Sequence, residues 1–127
     1  MKTPRILIVD DNAMNVDLVS FLLSADSMQV ESAADAQQAS ARIAAQPPDL
    51  ILMDIQMPGV DGLELTRRLK ADPATRRIVI VALTAYAMKG DEARMLAAGC
   101  DGYIAKPVEV ASFTRQVRAF LEGPASH

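Results

Sequence analysis

Asp49-Leu50-Ile51-Leu52-Met53-Asp54, followed by Ile55-Gln56-Met57-Pro58-Gly59, decides how the rest of the chain is read. Four apolar residues in a row, ending in an acid and bounded by Pro47-Pro48 and Pro58-Gly59, fit a strand buried on both faces. Asp54 then lies where the strand gives way to a loop. In open α/β sheets ligands bind at that edge, outside the carboxyl ends of the strands. A single Asp at such a place can be a turn residue and nothing more, so its meaning rests on what the other strands end in.

Working outward, Ile6-Leu7-Ile8-Val9 is a second buried run, and it ends in Asp10-Asp11-Asn12. A helix is expected from about residue 14 to 24, with Val16, Val19, Leu22 and Leu23 at helical spacing and Asn12 or Asn15 as its cap. Residues 28 to 32 alternate as a half-exposed strand does. Asp35 caps a helix to about Ala45, with Ala36, Ala39 and Ile43 facing inward. After the Asp54 strand, Asp61-Gly62 opens a helix to about Lys70. Ile78 to Leu83 is a strand ending at Thr84, and a helix from Lys89 to Ala98 stops at Gly99. Gly102 to Ala105 is a short strand ending at Lys106-Pro107. A last helix is expected over about 108–121, with Val110, Phe113, Val117 and Phe120 on its inner face. Five strand–helix pairs in strict alternation imply a doubly wound α/β fold with a parallel sheet, and right-handed crossovers bring all strand ends to one rim. Residues 1–122 are expected to form the domain and 123–127 a flexible tail.

Bulk properties narrow the function. The 127 residues suit one domain with a full core, and a net charge of -3 argues against a nucleic-acid or membrane surface. Neither a signal peptide nor a spanning run is visible. The only cysteine, Cys100, suits a reducing cytoplasm and reads as a small buried apolar residue. One cysteine and one terminal histidine do not make a zinc site. Dinucleotide and nucleotide phosphate-loop motifs are absent, so no nucleotide is expected.

Four strands end in a reactive or charged group: Asp10-Asp11, Asp54, Thr84 and Lys106. Carboxylates gathered at one point repel, by about 4 kcal/mol per pair at ~4 Å and an effective dielectric near 20. A hard divalent cation such as Mg2+ relieves that repulsion. Carboxylate, metal, lysine and hydroxyl together suit a phosphoryl group, with an Asp able to serve as its acceptor.

These pieces, Ile8-Val9-Asp10-Asp11-Asn12, Leu52-Met53-Asp54-Ile55-Gln56-Met57-Pro58, Leu83-Thr84-Ala85 and Tyr103-Ile104-Ala105-Lys106-Pro107, resemble the receiver domain of two-component response regulators over about residues 5 to 121. The resemblance implies a flavodoxin-like five-stranded sheet of order 2-1-3-4-5 with five helices. It implies that Asp54 is the phosphoacceptor, loaded from a histidine of a sensor kinase or phosphotransfer protein. It implies Mg2+ held by Asp11, Asp54 and the backbone carbonyl of Gln56, with Asp10 acting through water. Thr84 and Lys106 would meet the phosphoryl oxygens, the bond to Pro107 would be cis, and Tyr103 would rotate inward as Thr84 moves. The face made by the fourth helix, fifth strand and fifth helix, including Lys89, Glu92, Tyr103 and Arg115, would bind a downstream protein. Gln56 and Tyr86 would flank the water that removes the phosphoryl group, with Tyr86 slowing it. Gly59 and Gly62 read as backbone devices. The expected role is a signalling phosphoacceptor, not a turnover enzyme.

The run from Ala87 to Glu92 with Gly99-Cys100 is most like the single-domain, cell-cycle (DivK-like) type, but it also occurs in receivers attached to hybrid sensor kinases, and both origins stay open. A rival is an aspartyl-phosphate phosphatase of the haloacid dehalogenase type. That class wants a second acid two residues after the nucleophile, where this chain has Gln56.

Overall fold

Period-two alternation inside the apolar runs is what builds the molecule. In the computed structural model, which describes residues 3–55, 62–85, 89–106 and 108–122 (backbone alone at 89–91), five strands form one parallel sheet. The elements are β1 (Arg5–Val9), α1 (Ala13–Ala25), β2 (Gln29–Ala33), α2 (Ala36–Ala45), β3 (Leu50–Asp54), α3 (Gly62–Ala71), β4 (Val79–Thr84), α4 (Lys89–Ala98), β5 (Gly102–Ala105) and α5 (Phe113–Glu122). The sheet order is β2-β1-β3-β4-β5, as expected. Every residue of β3 is buried. Successive side chains of a strand point to opposite faces, so each run feeds two cores. Leu7, Val9, Ile51, Met53, Ile80 and Ala82 meet Ile43, Leu65, Leu69 and Met95 from α2, α3 and α4. Ile6, Ile8, Leu50, Leu52, Val81 and Leu83 meet Val19, Leu23, Phe113 and Val117 from α1 and α5. A run apolar at every position therefore reports a strand covered twice. The edge strand β2, with Gln29 and Glu31 exposed, alternates instead.

Local chemistry sets several helix ends. Asn12 is the cap of α1, its side-chain oxygen accepting from the Asn15 backbone N–H at 3.1 Å. Asp35 caps α2 the same way, through Gln38. Gly99, at φ 106°, closes α4: its N–H reaches Leu96 O and the Cys100 N–H reaches Met95 O, both at 3.0 Å. The same paired bonds close α1, through Ser27 and Met28, but there the left-handed residue is Ser27, at φ 64°. A serine pays a steric penalty in that region which a glycine escapes, offset in part by glycine's greater chain entropy. Ser27→Gly is therefore expected to raise stability by about 0.5–1 kcal/mol, measured as an increased midpoint in urea with an unchanged slope.

The last helix departs from expectation. It begins at Phe113, not near 108, and Val110 is 59% exposed instead of facing inward. Val108 lies two residues before Val110, and positions two apart do not share a helix face. Val108 takes the core place from the lead-in ahead of the helix, and the Ser112 and Phe113 N–H groups then close a turn on Glu109 O. Phe113 and Val117 keep the inner stripe, with Phe120 packed beside them. Cys100 is buried as read, and burial is the main cause that pushes its thiol pKa up. No helix among the described residues is long and apolar enough to cross a membrane.

Candidate phosphoacceptor and metal site

Strand register assembles the site. Val9 pairs with Met53, so the residues that follow them, Asp10 and Asp54, sit side by side at the rim. Asp54 pairs with Leu83, which puts Thr84 one step further on, and Thr84 pairs with Ala105, which puts Lys106 one step beyond that. The Lys106 N–H extends the ladder by donating to Thr84 O at 2.8 Å. The lysine's backbone is thus held against the end of β4.

Asp10, Asp54 and Thr84 are all buried, and Asp11 is exposed at the mouth. Carboxylate oxygens of Asp10, Asp11 and Asp54 lie within 4.8 Å of one another. The Lys106 ammonium stands 3.2 Å from Asp54 Oδ2 and 3.7 Å from Asp10 Oδ2. The Asn12 backbone N–H donates to Asp10 Oδ1 at 2.9 Å, and the Asn15 side-chain amide donates to Asp10 Oδ2. Among the described residues, one lysine against three carboxylates leaves the pocket with a formal charge of two negative. Oxygen ligands clustered at that spacing, with a residual charge of that size, fit a hard divalent cation.

Tyr103 is half-buried on β5 and packs against the core beneath α2–α4. Glu92 and Arg115 are exposed. Gln56, Gly59, Asp61, Tyr86, Pro107 and residues 123–127 lie outside the described residues, as does the side chain of Lys89.

Two contacts escaped the sequence. Asn15 was legible only as a possible cap, yet its side chain serves Asp10. Its signal was an amide in the first turn of a helix that starts beside an acidic turn. Gly62 is the other: a Cβ there would meet Asp54 O at 2.9 Å and Ile55 Cα at 3.1 Å, both backbone. Its reading as a backbone device holds, and the reason is that α3 starts against the strand end bearing Asp54.

Comparison with known proteins agrees with this geometry. Residues 6–118 match the response regulator receiver domain. The chain is 41% identical over 119 residues to the polar-differentiation response regulator DivK of Brucella ovis, covering 94% of this chain and 97% of that protein. A putative response regulator from Chloroflexus aurantiacus has the same fold at TM-score 0.89 and 30% identity, over 95% of this chain and 99% of that one. The receiver domain of a Pseudomonas aeruginosa sensor histidine kinase, solved with a magnesium ion coordinated in its active-site cleft, is 35% identical at TM-score 0.85, over 96% of this chain and 100% of that one. The haloacid dehalogenase alternative falls away, and the chain belongs to the response regulator receiver family of two-component signalling.

Proposed function

We propose that Asp54 accepts a phosphoryl group from a phosphohistidine of a sensor kinase or phosphotransfer protein, and that the modified domain switches its binding to a downstream protein. The observation that carries this reading is the lysine held between two buried carboxylates, with a third at the mouth of the same pocket. An Asp54 oxygen forms the new bond to phosphorus as the bond from phosphorus to the imidazole nitrogen breaks, and the electron pair stays with the departing ring. Lys106 stabilises charge on the transferring group, and Thr84 offers it a hydroxyl from the end of β4. Asp11, Asp54 and the Gln56 carbonyl would hold Mg2+, with Asp10 behind them. The ion would supply positive charge to the phosphoryl oxygens. Phosphorylation adds roughly -1.5 to -2 charge, and drawing in Thr84 and Lys106 to meet it would alter the surface of α4, β5 and α5. We place the output contact there, at Glu92, Tyr103 and Arg115.

Acetyl phosphate with and without Mg2+ tests the chemistry. Incorporation that needs the ion and maps to Asp54 is expected. Labelling elsewhere, or labelling indifferent to Mg2+, would overturn the reading.

A protein donor has to cover the rim for its histidine to reach Asp54. Met14, Leu18 and Phe21 lie at i, i+4 and i+7 of α1, all exposed, and α1 begins beside Asp10. Apolar side chains at that spacing form one stripe. We place the donor's contact on it. Phe21→Ala combined with Leu18→Ala is expected to slow transfer from a histidine-phosphorylated donor protein at least tenfold, while the rate with acetyl phosphate stays the same. Equal slowing with both donors would refute the docking role, since a small donor needs no helix face.

A further inference from the structure

Both oxygens of Asp10 already have protein donors. Oδ1 takes the Asn12 backbone N–H at 2.9 Å, and Oδ2 takes the Asn15 side-chain amide. The Asn15 backbone is itself pinned to Asn12 Oδ1 at 3.1 Å, so the amide is aimed by the first turn of α1. Lys106 stands near the same Oδ2, but at 3.7 Å, beyond hydrogen-bond distance, and nearer to Asp54 at 3.2 Å. The Asp10 side chain is 0% exposed, so bulk water does not compete for that oxygen. Leaving a buried acceptor without its donor is costly, and among the described residues the Lys106 ammonium already stands 3.7 Å from that oxygen. An amide, unlike a second cation, fills the position without adding charge to the pocket.

We propose that Asn15 is a positioning residue: by occupying Asp10 Oδ2 it holds Lys106 at ion-pair distance and nearer Asp54, short of the direct hydrogen bond to Asp10 that would tie both carboxylates to the ammonium and close the pocket to a cation. The inference rests on the reading of the pocket as a Mg2+ site. Asn15→Leu keeps the size of the side chain and removes the donor. Its Mg2+ affinity, titrated calorimetrically with the metal alone, is expected to fall five- to tenfold. In a Lys106→Met background the same substitution is expected to change the affinity less than twofold, because no lysine remains to collapse onto Asp10. Asn15→Ala in the same cycle supplies the comparison if the leucine variant does not fold. Unchanged Mg2+ affinity in Asn15→Leu, even with a lowered unfolding temperature, would overturn the proposal. So would an equal loss in both backgrounds, which would mean that Asn15 acts on the ion through Asp10 without involving the lysine. Failure of the unsubstituted protein to bind Mg2+ would instead overturn the site reading itself.

Discussion

Asp54→Asn is expected to abolish phosphoryl incorporation from any donor and, without Mg2+, to make the domain more stable. The two effects come from one cause. An amide is a poor nucleophile, so the bond to phosphorus does not form. Among the charges of the described residues, the same change removes two like-charge pairs, with Asp10 and with Asp11, and gives up the ion pair with Lys106. Lys106 retains Asp10 as a neighbour. Each unit pair at ~4 Å is worth about 1–4 kcal/mol between effective dielectrics of 80 and 20. Two repulsions lost against one attraction lost leave a gain of about that size for one pair. The stabilising effect of added Mg2+ should shrink in parallel, because linkage stabilisation follows affinity for the folded state. Urea unfolding with and without Mg2+, alongside labelling by acetyl phosphate, measures all three. A variant that lost labelling and also lost stability would have been damaged in folding, and one that kept labelling would place the acceptor elsewhere.

How much of this was legible depends on which physical effect decides each feature. β3 and β4 were plain because a strand covered on both faces leaves a continuous apolar signature, as in Leu50–Met53 and Ile80–Leu83. Their ends were plain because polarity changes abruptly at Asp54 and Thr84. Once the strands are parallel and adjacent, register alone brings Asp10 beside Asp54 and carries Lys106 toward them, so the acidic cluster and its lysine followed from one-dimensional information. The start of α5 did not follow. Val108 and Val110 are alike in composition, and only packing into the core on the α1–α5 side of the sheet decides which is buried. Ser27 gives no glycine to mark its left-handed turn, because the paired bonds that close α1 impose the conformation on a residue that merely tolerates it. Asn15 was missed for a related reason. A side-chain amide has several rotamers, and which acceptor it finds is settled by a residue on another element. Gly62 was singled out correctly, but the backbone it approaches could be named only once α3 was set against Asp54.

Replacing Lys106 with Met, which keeps the apolar stem, should move metal binding and chemistry in opposite directions. The pocket would carry three negative charges instead of two, and a cation would no longer compete with an ammonium 3.2 Å from Asp54. Mg2+ affinity is then expected to rise on the order of tenfold, a change of about 1.4 kcal/mol and within reach of a unit charge removed from that distance. Phosphoryl uptake is expected to fall by about 10²–10³, the usual effect of removing one group aimed at developing charge. Without Mg2+ the variant should also unfold more readily, since two buried carboxylates lose their shared counter-charge. The partly exposed lysine keeps that loss below the 3–5 kcal/mol typical of a fully buried pair. Calorimetric titration with Mg2+ and the rate of labelling by acetyl phosphate give the two signs separately. If tighter metal binding came with undiminished uptake, Lys106 would be a counter-ion of the resting pocket only. If metal binding weakened, the lysine would be holding the carboxylates in place for the ion, and its closeness to Asp54 would have a structural meaning instead of a chemical one.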